Sequence, residues 1–330
     1  MPGMRLIAGS GRSGTTWVLD ALASANDLRP VFEPLHPAAS KTGFRYAFRA
    51  LAPEDEHPEL LRFLELVSAG RRCRMWTRYR GLPVLLFPRP RKLAAPGALR
   101  VLYRRWRKFA QDWPELAVAA RRPEPLVKCI RANLMLGWLK RQMACRTVLM
   151  IRHPGAVVES QFRLGSGSIW DPEPVLERYR NDALLREWTG GRYRSLLERP
   201  LSKLEALAAN WVIENQYALE HAASCDVTVV FYEQLKAAPE HEWQRMCQAL
   251  ELPRGPAAAV LSRPSQQSST SSIDKPGDPR WLRGLSSAQI HMIQSILDET
   301  DCRFYSMSDP MPRSAAVATG RQPSVGVGRE

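Results

Sequence analysis

The sequence predicts an α/β fold: a P-loop-like three-layer sandwich with a parallel central sheet and a basic insertion of helices and loops. Three observations carry this. Short, nearly continuous apolar runs recur along the chain, the pattern of strands covered on both faces. The first run, Met4-Arg5-Leu6-Ile7-Ala8, ends in Gly9-Ser10-Gly11 and leads directly into a helical pattern; strand, glycine-rich turn and helix open a parallel sheet. The chain has 330 residues, enough to bury one large core.

The elements follow in order. Trp17, Val18, Ala21, Leu22 and Ala25 lie at helical spacing after the first turn. A second strand is expected at 28–33, stopped by Pro34. Residues 53–125 are rich in Pro and Arg and read as an insertion of helices and loops, not as a second core. The sheet resumes with Leu126-Val127-Lys128-Cys129-Ile130, then Thr147-Val148-Leu149-Met150-Ile151, then Val227-Thr228-Val229-Val230-Phe231. Leu204, Leu207, Ala208, Trp211, Val212 and Leu219 mark a helix between the last two strands. Trp243, Met246, Cys247 and Leu250 mark another. Ile290, Ile293 and Leu297 mark the last, with Ser286 and Gln289 spaced as a capping box. Residues 262–272 read as a polar loop. Residues 310–330 lack periodicity and read as a disordered tail, leaving 1–309 as one domain without internal repeats.

Composition narrows the classes. Apolar residues at 45% and charged residues at 24% are ordinary for a globular chain and exclude wholesale disorder. No apolar run approaches the ~18 residues of a membrane span. The opening residues carry no apolar stretch before a cleavage site, so no secretory signal is expected. Six cysteines, at 73, 129, 145, 225, 247 and 302, form no C-x-x-C pair. That argues against a zinc site or a redox dithiol, no metal is expected, and the thiols fit a reducing cytoplasm.

Lys and Arg number 47 against 33 Asp and Glu, a formal charge of +14. Residues 71–108 hold 13 Lys/Arg and no acid, with Trp76, Tyr79, Phe87, Tyr103 and Trp106 interleaved. This segment is either a solvated basic face with core aromatics or a surface for an anionic partner. Such a partner would be an acidic glycan or an anionic membrane contacted peripherally. Nucleic acid is not expected, since no reading module is recognisable.

The turn itself, Gly9-Ser10-Gly11-Arg12-Ser13-Gly14-Thr15-Thr16, matches G-x-x-x-x-G of a P-loop. Such a turn aims backbone N–H groups and a helix N-terminus at an anion. Thr15 stands where the P-loop lysine belongs, and the later strands end in Arg152 and in Tyr232-Glu233 instead of a magnesium-holding Asp. The residues read as a phosphate cradle without the triphosphate apparatus, its cation moved inside the loop to Arg12.

Arg12-Ser13-Gly14-Thr15-Thr16-Trp17 resembles the 5′-phosphosulfate loop of sulfotransferases that use 3′-phosphoadenosine-5′-phosphosulfate (PAPS). The strand ending in Arg152, with Ser160 eight residues on, is similar to that family's 3′-phosphate motif. Phe231-Tyr232-Glu233-Gln234-Leu235 is similar to a later family segment. The likeness runs from about Met4 to Tyr305, with the insertion unmatched. Small-molecule members usually have Lys at the Arg12 position and Lys-x-His on the third strand. Here Arg12 matches many carbohydrate-directed members, and Lys128-Cys129-Ile130 keeps the Lys and loses the His. Arg152-His153-Pro154 stands in place of Arg-Asp-Pro, an exchange with no reading from the sequence. Phe32-Glu33-Pro34-Leu35-His36 resembles a segment of carbohydrate sulfotransferases in which a glutamate is the proposed base.

The resemblance implies transfer of a sulfuryl group from PAPS to a hydroxyl, on a saccharide or glycolipid, leaving adenosine 3′,5′-bisphosphate. Arg12 and Lys128 would stabilise the leaving oxygen, and Arg152 and Ser160 would meet the 3′-phosphate. Trp17 and Tyr232 would pack on adenine, although Trp17 equally suits a core position. Glu33 is the expected base, its pKa raised by burial, unless an arginine claims it. His36 is the second candidate. Two other classes remain open at this point: a non-catalytic nucleotide- or glycan-binding protein, and a divergent nucleotide kinase.

Overall fold

The computed structural model describes residues 3–37, 40–70, 121–122, 124–164, 171–253, 261 and 279–313. The basic segment 71–108, the loop 262–272 and residues 314–330 of the expected tail lie outside the described residues.

In chain order the elements are β1 (Arg5–Gly9), α1 (Thr15–Ala25), β2 (Arg29–Phe32), α2 (Lys41–Tyr46), α3 (Pro58–Ser68) and β3 (Pro125–Cys129). A 3₁₀ turn (Asn133–Met135), α4 (Leu136–Met143), β4 (Arg146–Ile151), α5 (Pro154–Phe162), α6 (Glu173–Arg180), α7 (Ala183–Trp188) and α8 (Arg194–Glu198) follow. Then come α9 (Lys203–Glu220), β5 (Val227–Phe231), α10 (Tyr232–Ala237), α11 (Pro239–Ala249), α12 (Trp281–Gly284) and α13 (Ser287–Glu299).

The sheet is parallel, in the order β2-β3-β1-β4-β5. Alternation of side chains divides the core into two faces. Leu6, Ala8, Leu149 and Ile151 pack with α9 and α13 on one face. Ile7, Val148 and Met150 pack with Val18, Leu22, Trp243 and Met246 of α1 and α11 on the other. This is the expected three-layer α/β architecture. Pro30 is tolerated in β2 because, among the described residues, that strand pairs on one side only.

Within the expected insertion, residues 58–68 form α3. Leu60, Phe63, Leu64 and Val67 of α3 are buried in the same core as β1 and β4, because their spacing puts all four on one helical face.

All five strands point the same way, so one edge of the sheet collects the turns after Gly9, Phe32, Cys129, Ile151 and Phe231. β1 lies between β3 and β4, where the chain changes the side on which it winds. Open α/β sheets bind ligands at such a point.

Candidate functional site

The loop after β1 has its shape enforced from below. Gly9 has φ 138°, and a Cβ there would stand 2.3 Å from the Met150 carbonyl oxygen. Gly14 has φ 89°, and a Cβ there would stand 2.8 Å from the Tyr232 ring; only glycine fits both places. The Ser13 hydroxyl donates to the Ser10 carbonyl at 2.6 Å, and the Gly9 N–H donates to Asn133 Oδ1 at 3.0 Å. Gln161 Nε2 donates to the Gly11 carbonyl at 3.0 Å. The N-terminus of α1 follows, with Gly14 at its N-cap and no side-chain cap, so its end dipole faces outward toward any anion in the loop.

Arg12 adopts φ 74°, uncommon for a residue with a side chain. This turns its guanidinium toward α5, where Nε donates to the Ser160 hydroxyl at 2.9 Å. Arg152 Nη1 donates to the Arg12 carbonyl at 3.1 Å. Burial lowers the Arg12 pKa, and the charges of Arg152 and Arg163 lower it further. Converging guanidiniums in this state are relieved by a bound anion. The Arg152 guanidinium also lies 4.3 Å from the centre of the Tyr232 ring, and Trp17 meets that ring edge-on at 6.0 Å. Trp17 is half-buried and packs partly against the α1 core.

His153 has a clear role. Its Nδ1 accepts the Gly155 N–H at 3.1 Å and so caps α5. A short side-chain acceptor is what an N-cap requires, the job an Asp would do here. Nε2 faces the carbonyls of Ser306 and Asp309 at 3.1 and 3.2 Å, so the proton sits on Nε2 and the ring is neutral. Burial pushes its pKa down to about 4. The ring stacks on Trp281 at 4.4 Å. Glu233 closes the arrangement: it accepts the His153 backbone N–H at 3.0 Å and the Tyr305 hydroxyl at 2.7 Å. The turn after β4 is thereby tied to the C-terminal segment.

Glu33 follows β2 with φ 55° and is 2% exposed. Lys128 Nζ donates to its Oε1 and Arg131 Nη1 to its Oε2, both at 2.5 Å. The Ile130 N–H donates to both oxygens at 3.2 and 3.3 Å. Burial alone would raise the Glu33 pKa, but Lys128, Arg131 and these hydrogen bonds outweigh it and hold the pKa below the ordinary carboxylate value. The expected upward shift is therefore corrected: the pocket that buries the carboxylate also brings two cations. His36 is half-buried, and burial followed by repulsion from Arg131 pushes its pKa down to about 4.

The structure thus gathers Arg12, Ser13, Gly14, Thr15 and Thr16 with Arg152, Ser160, Trp17 and Tyr232, and it gathers Lys128 and His36 around Glu33. Arg131, Asn133, Gln161 and Tyr305 were not read from the sequence as site residues, and Glu233 was read only as part of the segment after β5. Gln161 adjoins Ser160 and Arg131 lies three residues past Lys128, but nothing local marks their partners. Cys129, the last residue of β3, is pushed up to about 12 by burial and stays a thiol.

No family model and no curated protein matches the sequence. Among solved structures the chain is similar to a sulfotransferase domain from the curacin biosynthetic pathway, at 16% identity and TM-score 0.42 over 91% of this chain and 98% of that one. It is similar to a sulfotransferase domain from the Synechococcus PCC 7002 olefin synthase, at 16% identity and TM-score 0.35 over 98% of this chain and 89% of that one. It is also similar to the sulfotransferase STF9 from Mycobacterium avium, at 12% identity and TM-score 0.40 over 95% of this chain and 79% of that one.

Proposed function

We propose that this chain is a sulfotransferase that moves the sulfuryl group of PAPS to a hydroxyl of a saccharide or glycoconjugate. The observation that supports it best is the meeting of two motifs 148 residues apart, through Arg12 Nε and the Ser160 hydroxyl at 2.9 Å. The residues fit a nucleotide with phosphate at both ends. The loop from Arg12 to Thr16, with the N-terminus of α1, would hold the 5′-phosphosulfate. Arg152 and Ser160 would hold the 3′-phosphate, and Trp17 and Tyr232 the adenine.

In the reaction the bond from sulfur to the 5′-phosphate oxygen breaks and a bond from sulfur to the acceptor oxygen forms. Arg12 and Lys128 stabilise charge on the leaving oxygen. Glu33 takes the acceptor proton. A depressed pKa makes Glu33 a weak base, yet the hydroxyl grows strongly acidic as its oxygen bonds to sulfur, so a late proton transfer needs no stronger one. The Lys128 ammonium has three N–H donors and gives one to Glu33, so it can meet the leaving oxygen while it still holds the base. His36 is the weaker candidate, since Arg131 opposes the imidazolium it would become.

The test is transfer of labelled sulfate from PAPS to a panel of glycans and glycolipids, in the presence of EDTA. Calorimetry should show adenosine 3′,5′-bisphosphate binding about 10- to 150-fold more tightly than AMP, the worth of a charge-assisted contact, with Arg152→Ala erasing the difference. Equal affinities in the unaltered protein would remove the 3′-phosphate assignment.

A further inference from the structure

Arg131 carries a donor that Glu33 does not use. The side chain is 9% exposed and Nη1 is bound to Glu33. The buried Nε–H meets no acceptor among the described residues. A buried guanidinium N–H without an acceptor is costly and calls for a physical explanation.

The surroundings supply one. The Arg131 guanidinium lies 5.5 Å from the centre of the Phe48 ring, and its backbone carbonyl accepts the Phe48 N–H at 3.0 Å. Phe48 sits at φ 60°, a strained place for a bulky residue and a common mark of a binding site. The turn is held there by Asp182, which accepts the Ala50 N–H at 3.0 Å. The turn carries the exposed Arg49; burial lowers the Arg178 pKa and the charge of Arg49 lowers it further, against the opposing pull of Glu177. The Arg178 guanidinium lies 4.8 Å from the centre of the Phe44 ring, and Phe44 is 62% exposed. Among the described residues neither Arg49 nor Arg178 forms an ion pair within 4.0 Å. Three guanidiniums therefore lead away from the Glu33 centre along residues 44–49, two of them set against aromatic rings.

We propose that Arg131, Arg49 and Arg178, with Phe44 and Phe48, form an oxyanion subsite for the acceptor, so that the hydroxyl to be sulfated belongs to a molecule that already carries a carboxylate, phosphate or sulfate. This rests on the sulfotransfer reading. Guanidinium forks match such groups in shape and charge. An anion between them relieves the repulsion of Arg49 and Arg178 and, with a side-chain movement that uncovers it, gives the buried Arg131 Nε–H its acceptor. The flanking rings suit a sugar or other body with an apolar face. Arg131 and Arg178 are held against rings and Arg131 is buried, while Arg49 stands exposed on the turn, next to Phe48 in sequence.

The full-length chain, labelled with ¹⁵N-arginine and saturated with adenosine 3′,5′-bisphosphate to occupy Arg12 and Arg152, tests the subsite by NMR. The Arg131 Nε–H resonance is assigned by its loss in Arg131→Lys, which keeps a cation beside Glu33. The probes are methyl glucuronoside, methyl phosphate, methyl sulfate and the neutral methyl glucoside. At least one anion should shift the Arg131 resonance saturably while methyl glucoside does not, and the anion that binds best names the acidic group. The double variant Arg49→Ser/Arg178→Ser should weaken that half-saturation about tenfold or more. Equal responses to the glucuronoside and the glucoside, no response to any anion, or unchanged anion binding in the double variant would overturn the proposal. If the bisphosphate fails to bind, the donor reading fails, and the same titration without it still decides whether the oxyanion subsite exists.

Discussion

A carboxylate held between two buried cations stays ionised throughout the neutral range, and it also neutralises those cations. Glu33 therefore has a structural duty beside the chemical one proposed for it. Glu33→Gln removes the basicity and leaves Lys128 and Arg131 buried without their counter-ion. Breaking a buried pair in this way costs about 3–5 kcal/mol, so the melting temperature should fall. Where the variant remains folded, kcat should fall by about 10²- to 10⁴-fold, the contribution of a positioned base, while nucleotide affinity holds. His36→Ala should cost much less. A lowered melting temperature with kcat preserved would leave Glu33 as a counter-ion only. The residue was legible in the sequence from its place after a strand and from its motif. Its partners were not: Arg131 is 98 residues away, and no local pattern states that both ends of that interval meet in one pocket. The pKa was misjudged for this reason, since desolvation can be guessed from one position and compensation cannot.

Among the elements, the strands were the most legible. Runs such as Val148-Leu149-Met150-Ile151 are apolar without alternation because helices cover both faces of the sheet. The capping box of α13 was legible because it lies within four residues, Ser286 to Gln289. α3 carried its own helical spacing at Leu60, Phe63, Leu64 and Val67, but the Pro- and Arg-rich average of 53–125 conceals it. The turn from β4 into α5 was legible as a motif and opaque as a mechanism, because His153 works through residues about 150 positions away. His153→Asp tests that mechanism. Asp can still cap the Gly155 N–H, but it cannot stack on Trp281 or reach the carbonyls of Ser306 and Asp309. Hydrogen exchange should then accelerate about tenfold or more over residues 303–313, while 154–162 stays protected, since local openings follow local contacts. Equal acceleration in both segments would mean that the cap fails in Asp and that the imidazole itself is needed there. Unchanged exchange at 303–313 would show that Tyr305 and Glu233 hold the C-terminal segment without it.

For the whole molecule, buried groups with displaced pKa values set opposing dependences of stability on pH. His153 ordinarily titrates at 6.5 and is held at about 4 in the folded chain. Between those values the unfolded chain binds a proton that the folded chain refuses, so stability rises with pH, by about 3 kcal/mol at most for a gap of this size. His36 acts in the same direction, less strongly because it is partly solvated. Glu214 on α9 is the larger counterweight, and Glu233, whose pKa burial also raises, acts in the same direction. Glu214 accepts the Tyr179 hydroxyl at 3.3 Å, and burial raises its pKa from 4.5 to about 8. Between those values the folded chain keeps a proton that the unfolded chain has lost, so stability falls as pH rises. From 4.5 to 6.5 the two effects oppose each other, and above 6.5 that of Glu214 acts without the histidines. Unfolding free energy, measured with urea from pH 4.5 to 8.5, should therefore be highest near 6.5 and decline toward 8. Glu214→Gln keeps an acceptor for Tyr179 and cannot ionise. It should remove most of the alkaline decline, leaving the share due to Glu233, gain on the order of a few kcal/mol over the unaltered chain at pH 8, and change little at pH 4.5. A Glu214→Gln profile parallel to that of the unaltered chain above pH 6.5 would mean that Glu214 is already ionised in the folded state, with a charge partner that overrides its burial.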